Sequence, residues 1–342
     1  MGCRCPFSRY SPCTFRALII EIDIESGEVL FEWSSIEHVS FSETVLPLGL
    51  RGPEQGTSSS SSWDYFHINS VDKHADGSYI ISARHTNTIY KINSTDGSII
   101  WRLGGKKSDF EHAEGTSFAF QHHARYRGED SAGRTLLSLF DNHNARPGQD
   151  HALTDGDKPS SGKLLVVDEA KLTVSLAVQY SAPSEIISHS QGNLHFLDNG
   201  NALVGWGQIP AITEFLPNGT VVYHAEIHFD NESSQSESYR NFKFPWHGVS
   251  SEDIAVVWED KKVYISWNGD TAVKEWALWV NEAGRWRDRG KVKRTGFETV
   301  AEVGVHKEIF VEGIDRHGKV LGRSRVLTVE DSASRFTFAI QP

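Results

Sequence analysis

The chain has 342 residues, of which 38% are hydrophobic and 28 are Trp or Phe (10 and 18), enough to bury one large core or two separate ones. Its 45 acidic against 34 basic residues give a formal charge of -11, and no Lys/Arg run is interleaved with aromatics, which argues against a nucleic-acid partner. All three cysteines, Cys3, Cys5 and Cys13, lie at the start, so nothing after them can supply a disulfide, a thiolate ligand or a thiol nucleophile.

The first residues, MGCRCPFSRYSPCTF, lack the apolar stretch of a signal peptide. Pro6 breaks the myristoylation pattern, which leaves Cys3 and Cys5 open to acylation. Residues 1–16 therefore read as an atypical N-terminal segment. Next, ALIIEIDIESGEVLFEW alternates apolar and polar residues around Ser26-Gly27 and predicts a hairpin over 17–33, resembling the second half of a four-stranded unit. The segment from there to His67, with its serine run, reads as exposed loop.

A histidine-led β unit then occurs three times. The first begins at His67 with HINSVDKHADGSYIISAR and continues to about 105; the second begins at QHHAR around His122 and continues to about 180. The third begins at His189 and Gln191 with SQGNLHFLDNGNALVGWG and continues to about 229. D-G and N-G pairs separate the strands, and self-similarity at this spacing with about four short strands per copy predicts propeller blades. A polar insertion, PGQDHALTDGDKPSSG, interrupts the second copy and reads as a loop on one face. From about 251 the texture changes to alternating strands around Trp267, Trp276 and Trp279, which predicts a small fibronectin III or immunoglobulin-like sandwich. The expected organisation is thus an all-β chain with a propeller over 17–250 and a sandwich over 251–342, little helix and no transmembrane span. N-x-S/T sequons at Asn93, Asn218 and Asn231 fall in turn-like stretches and would suit a glycosylated secreted protein.

The runs FEWSSIEHV, WDYFHINSVDK, YIISARHTNTIYKI, IIWRLGG, FQHHAR, SLFDN, SQGNLHFLDNGNALVGWG and YRNFKFPW resemble the fungal branch of the arylsulfotransferase superfamily from about Leu18 to Val329. The resemblance implies a β-propeller enzyme of the secretory pathway. It would move a sulfuryl group from a phenol's sulfate ester to another phenol through a transiently sulfated histidine, without a nucleotide donor or other cofactor. Phenolic or aryl sulfate small molecules would be its partners. In this sequence the family's H-x-N pattern falls on His67 and Asn69, its arginine on Arg84, and the next histidine on His122.

The chemistry has reasons to want these types. A neutral imidazole is a competent nucleophile near pH 7, the role expected of His122; a second imidazole, His67, would exchange the phenolic proton. The guanidinium of Arg84 and the amide of Asn69 would donate to sulfuryl oxygens. Strand alternation should turn only one of Arg84 and His85 to the site, with Arg84 preferred. His85, His189, Asn142 and Trp206 are the candidate substrate-binding residues, Trp206 as a possible aromatic floor. No metal-ligand spacing is recognised, so no catalytic metal is assigned. Two other functions fit the same scaffold: a small-molecule or cyclase-type pocket, and a binding platform or truncated product without catalysis.

Overall fold

A computed structural model describes residues 2–4, 12–143, 158–227 and 236–328, the first three by backbone only. The chain divides into two compact units, Met1–Lys243 and Phe244–Pro342. Both are built from β-strands; the one α-helix among the described residues is a single turn, Ser35–His38. No helix among them is long and apolar enough to cross a membrane.

The first unit contains three four-stranded antiparallel meanders, the blades. The first runs Ile68–Lys73, Tyr79–Ala83, Thr88–Ile92 and Ile99–Gly104; the second His122–Glu129, Thr135–Asp141, Ser161–Asp168 and Thr173–Ser181. Strands Asn193–Phe196, Ala202–Gly205, Ala211–Phe215 and Val221–Glu226 form the third. The expected hairpin is the antiparallel pair Leu18–Ile22 and Val29–Ser34. Left-handed glycines close the tight turns, Gly77 at φ 87°, Gly200 at 85° and Gly219 at 87°, which is why D-G and N-G pairs marked them in the sequence.

Blades bury both faces, so the middle strands of the first, Tyr79–Ala83 and Thr88–Ile92, are buried at every position rather than at alternate ones. Ile81, Tyr90 and Ile92 pack with Ile19, Trp33 and Phe66, whereas Ile80, Ile89 and Leu103 pack with Leu137, Leu139 and Val167 of the next blade. Phe140 and Tyr180 then meet Leu194, Val204 and Trp206 of the third. Sheet thus stacks on sheet, and the first strands of successive blades lie side by side: the Asn69 amide donates to the Gln121 carbonyl at 2.7 Å and the Tyr126 N–H to Asp72 at 2.9 Å. Cys13 is disulfide-bonded, and no cysteine follows it in the chain.

The second unit is a two-sheet sandwich. Ala255–Glu259, Lys262–Ser266 and Glu298–Glu302 form one sheet; Arg285–Lys293, Glu275–Glu282, Glu308–Ile314 and Val320–Arg323 form the other, with Leu327–Thr328 also pairing on Glu308–Ile314. Val256, Val263 and Ile265 of the first meet Trp276, Leu278, Ile309 and Val311 of the second in a single core. Trp267 anchors it, donating through Nε1 to the Glu252 carbonyl at 2.6 Å. Gly322 lets the ring lie flat on the strand, since a Cβ there would come within 2.6 Å of it. Residues 236–250 are irregular, and the part to Lys243 runs alongside Asn193–Phe196.

Candidate functional site

Each blade turns its chain sharply where its first strand begins. His67, Phe120 and Gln191 all adopt left-handed backbone, with φ of 54°, 51° and 65°. Such geometry costs a non-glycine residue about 1–3 kcal/mol and persists only where its surroundings hold it. The cavity beside these starts has a volume of about 260 Å³ and is lined by Arg51, Asp64, His67, Arg84, His85, His122, Ser190, Gln191 and Tyr239. Three of the residues expected to do chemistry, His67, Arg84 and His122, therefore converge, although up to 55 positions separate them in sequence.

His122 is buried and held at both ring nitrogens. His122 Nδ1–H donates to Asn142 Oδ1 at 2.8 Å, which leaves the lone pair on Nε2, where the Gln191 N–H donates at 3.2 Å. Burial, helped by the charges of Arg84 and His67, pushes its pKa down to about 3, so the ring is neutral at pH 7. Asn142 is fixed in turn, donating to the carbonyls of Ser188 at 2.9 Å and Gln191 at 3.1 Å.

His67 is the more open imidazole. Its Nδ1 donates to Asp64 Oδ2 at 2.5 Å, and its Nε2 meets no partner among the described residues. Burial raises the Asp64 carboxyl, but the His67 hydrogen bond and the neighbouring positive charges, Arg51 among them, outweigh it and leave Asp64 below its ordinary value. Asp64 was missed in the sequence because nothing distinguishes an aspartate three residues before a histidine from a turn residue.

Arg84 and His85 both line the cavity, contrary to the alternation argument. The strand ends at Ala83 and residues Arg84–Thr86 form a 3₁₀ turn, so period-two alternation no longer applies. Arg84 donates to His85 Nε2 at 2.8 Å and to the His189 carbonyl at 2.9 Å; His85 Nδ1 donates to the Asp64 carbonyl at 2.6 Å. Burial, with the Arg84 charge, keeps His85 well below the ordinary histidine value.

Other expected residues stand elsewhere. Asn69 uses its amide N–H₂ on the Gln121 carbonyl and does not line the cavity, so it braces the first two blades rather than donating into the site. Asn142 acts on His122 from behind, and His189 contributes its carbonyl to Arg84 without lining the cavity. Trp206 is fully buried in the third-blade core, edge-on to Phe140 and donating to Thr213 Oγ1 at 2.8 Å; it is no cavity floor. The aromatic ring at the cavity is Tyr239, which reading by repeats could not find because it lies after the third repeat. Asn93 and Asn218 occupy hairpin turns; Asn231 lies outside the described residues.

Asp64, His67 and His85 each bring a ligand atom within 4.8 Å of the others, a spacing a small cation could use. Both His85 nitrogens are already engaged, however, one by a guanidinium that would repel a cation. The donor set suits an anion better. A larger cavity of about 620 Å³ lies at the hairpin-turn end of the first two blades; its buried Lys91 is already paired with Asp76 at 3.0 Å and Glu169 at 2.9 Å.

The family model of arylsulfotransferase (ASST) matches residues 12–228. No curated protein matches. Among solved structures, a Bacteroides caccae protein of unknown function is similar at 13% identity and a TM-score of 0.34, over 93% of this chain and 90% of that one. A Myxococcus xanthus glutaminyl cyclase is similar at 11% and 0.27, over 76% and 70%. The Cps50 (Swd1) β-propeller domain of Myceliophteria thermophila is similar at 8% and 0.32, over 91% and 80%.

Proposed function

The chain belongs to the arylsulfotransferase family, and from that premise we propose that it moves a sulfuryl group between phenolic small molecules with His122 as the transient carrier. The observation that carries this reading is the convergence of His67, Arg84 and His122 on one cavity.

In the proposed first half-reaction the His122 Nε2 lone pair attacks sulfur and the S–O bond to the donor phenol breaks. The leaving oxygen takes a proton from His67 Nε2, whose imidazolium is stabilised by Asp64. In the second, His67 takes the proton of the acceptor phenol as its oxygen attacks sulfur, and the N–S bond breaks. The Asn142 bond supports this role because it keeps the Nδ1 proton away from the attacking nitrogen. Attack displaces the long Gln191 hydrogen bond, and that backbone N–H then donates to a sulfuryl oxygen, with the fixed charge of the Arg84 guanidinium beside it. The lining residues carry polar groups, with carbon surface between them and the Tyr239 ring beside them, which suits a sulfate group and a phenolic ring together.

The test is turnover of a chromogenic aryl sulfate with a phenol acceptor, followed by peptide mass analysis of rapidly quenched protein. A sulfuryl adduct on the His122 peptide, absent in His122→Ala, is expected. An adduct on His67 instead would exchange the two roles, and saturable phenol binding without transfer would favour a cyclase-type or binding pocket. A fungal source and a secretory route belong to the same proposal; N-glycan on the Asn93 or Asn218 peptides of protein from its native source is the expected mark.

A further inference from the structure

His122 and His123 are neighbours in sequence yet face different charges. The left-handed backbone of His123, φ 56°, and the break in strand register between His122 and Arg125 turn the two rings apart. His122 is influenced by Arg84 and His67, whereas His123 is influenced by Arg125, Arg240 and Arg127.

Those three arginines form a cluster that the reaction does not use. Among the described residues none of them makes an ion pair. Arg125 donates to the Val71 carbonyl, Arg127 to Ser138 Oγ at 2.7 Å and the Leu194 carbonyl at 3.0 Å, and Arg240 to the Asn69 carbonyl at 2.7 Å. The carboxylate acting on Arg125 and Arg127 is Asp72, which already accepts the Tyr126 N–H at 2.9 Å. Among the described residues, three guanidiniums against one carboxylate leave about two positive charges unneutralised in a partly buried place, an arrangement that costs stability unless an anion completes it.

A second observation points the same way. Among the described residues, Arg240 Nε and Asn241 Nδ2 are buried donors without a partner, and Nδ1 of His123, whose residue is only 3% exposed, is a buried ring nitrogen without one. Buried polar groups are nearly always satisfied, and each exception calls for a missing water or ion. A cation would be repelled here, and a neutral ligand would leave the charge in place. We infer that Arg125, Arg127 and Arg240, with His123 and Asn241, form a second oxyanion site that takes a tetrahedral dianion of the sulfate or phosphate type. The count of charges sets the dianion, and the fork geometry of guanidinium favours its tetrahedral oxygens. This site is independent of the sulfuryl-transfer reading and would bind whether or not His122 carries sulfate.

The experiment uses the whole chain. Sodium sulfate and, at slightly alkaline pH, sodium phosphate are titrated at ionic strength held constant with chloride, while arginines are modified with phenylglyoxal and followed by peptide mass analysis. Sulfate or phosphate is expected to protect the Arg125 and Arg240 peptides saturably, the tighter of the two identifying the preferred dianion. Calorimetric affinity for that dianion at this site should fall at least about tenfold in Arg240→Gln and remain in Arg84→Gln. Protection of Arg84 alone, no protection beyond chloride, or loss of binding in Arg84→Gln but not Arg240→Gln would each overturn the site. The protection arm needs no variant, so a misfolded substitution leaves the answer intact.

Discussion

Acidification should unfold the first unit well above the usual carboxylate range, because it buries neutral imidazoles. His122 and His123 are held at about 3 and about 2, and His85 well below its ordinary value, in each case by burial first. All three side chains belong to residues no more than 3% exposed. For a group whose native pKa is depressed, the unfolded chain binds the proton first, so stability is fully present above about pH 6.5 and is lost as pH falls below it. Between pH 7 and 4.5 each of His122 and His123 withdraws about 2–3 kcal/mol, or about 5 together, before His85 is counted. That is comparable with the whole stability of a typical domain, about 5–15 kcal/mol. The assay is hydrogen exchange with mass analysis on peptides containing His85 and His122, alongside urea midpoints at pH 7, 6, 5 and 4.5. Midpoints should fall steeply over that interval, and His123→Gln should flatten the slope by about one proton. Midpoints that stay level from pH 7 to 4.5, with undiminished protection of those peptides, would refute the assignment of these rings as buried and neutral.

Further outcomes follow from single contacts. Asp64→Asn removes the carboxylate behind His67 and should lower transfer kcat by about 10²–10⁴-fold with a shifted pH–rate profile, while aryl sulfate KM changes less. In Gly192→Ala the new Cβ would meet the Phe140 ring at 2.3 Å in a left-handed backbone, so the third blade should lose about 2–4 kcal/mol, read as a lower melting temperature. Gly322→Ala should cost the sandwich about 1–3 kcal/mol by pushing Trp267 aside, visible in tryptophan fluorescence during urea unfolding.

The blades were legible because their turns are written in residue types: Gly77, Gly200 and Gly219 occupy backbone that other residues resist. The convergence of His67 and His122 was also legible, since both open repeats of the same unit. Where the reading failed, local rules stopped holding. Alternation could not place Arg84 and His85 because the strand ends one residue before them. Trp206 reads alike as a pocket floor or a core ring, and only the packing of Phe140 against it decides. Tyr239 belongs to no strand, and the Gln191 donor is a main-chain group that no residue code announces.

That last donor has a consequence for lineages related to this chain. Its position depends on the bend at residues 191 and 192, not on the glutamine side chain, so Gln191 can drift to any residue that tolerates the bend while the N–H keeps pointing at the imidazole. Asparagine or glycine would preserve it; valine or isoleucine would not. Residue-by-residue tallies across relatives will therefore undercount this part of the site, and the invariant to look for is a permissive backbone before the third blade, whatever letter occupies it.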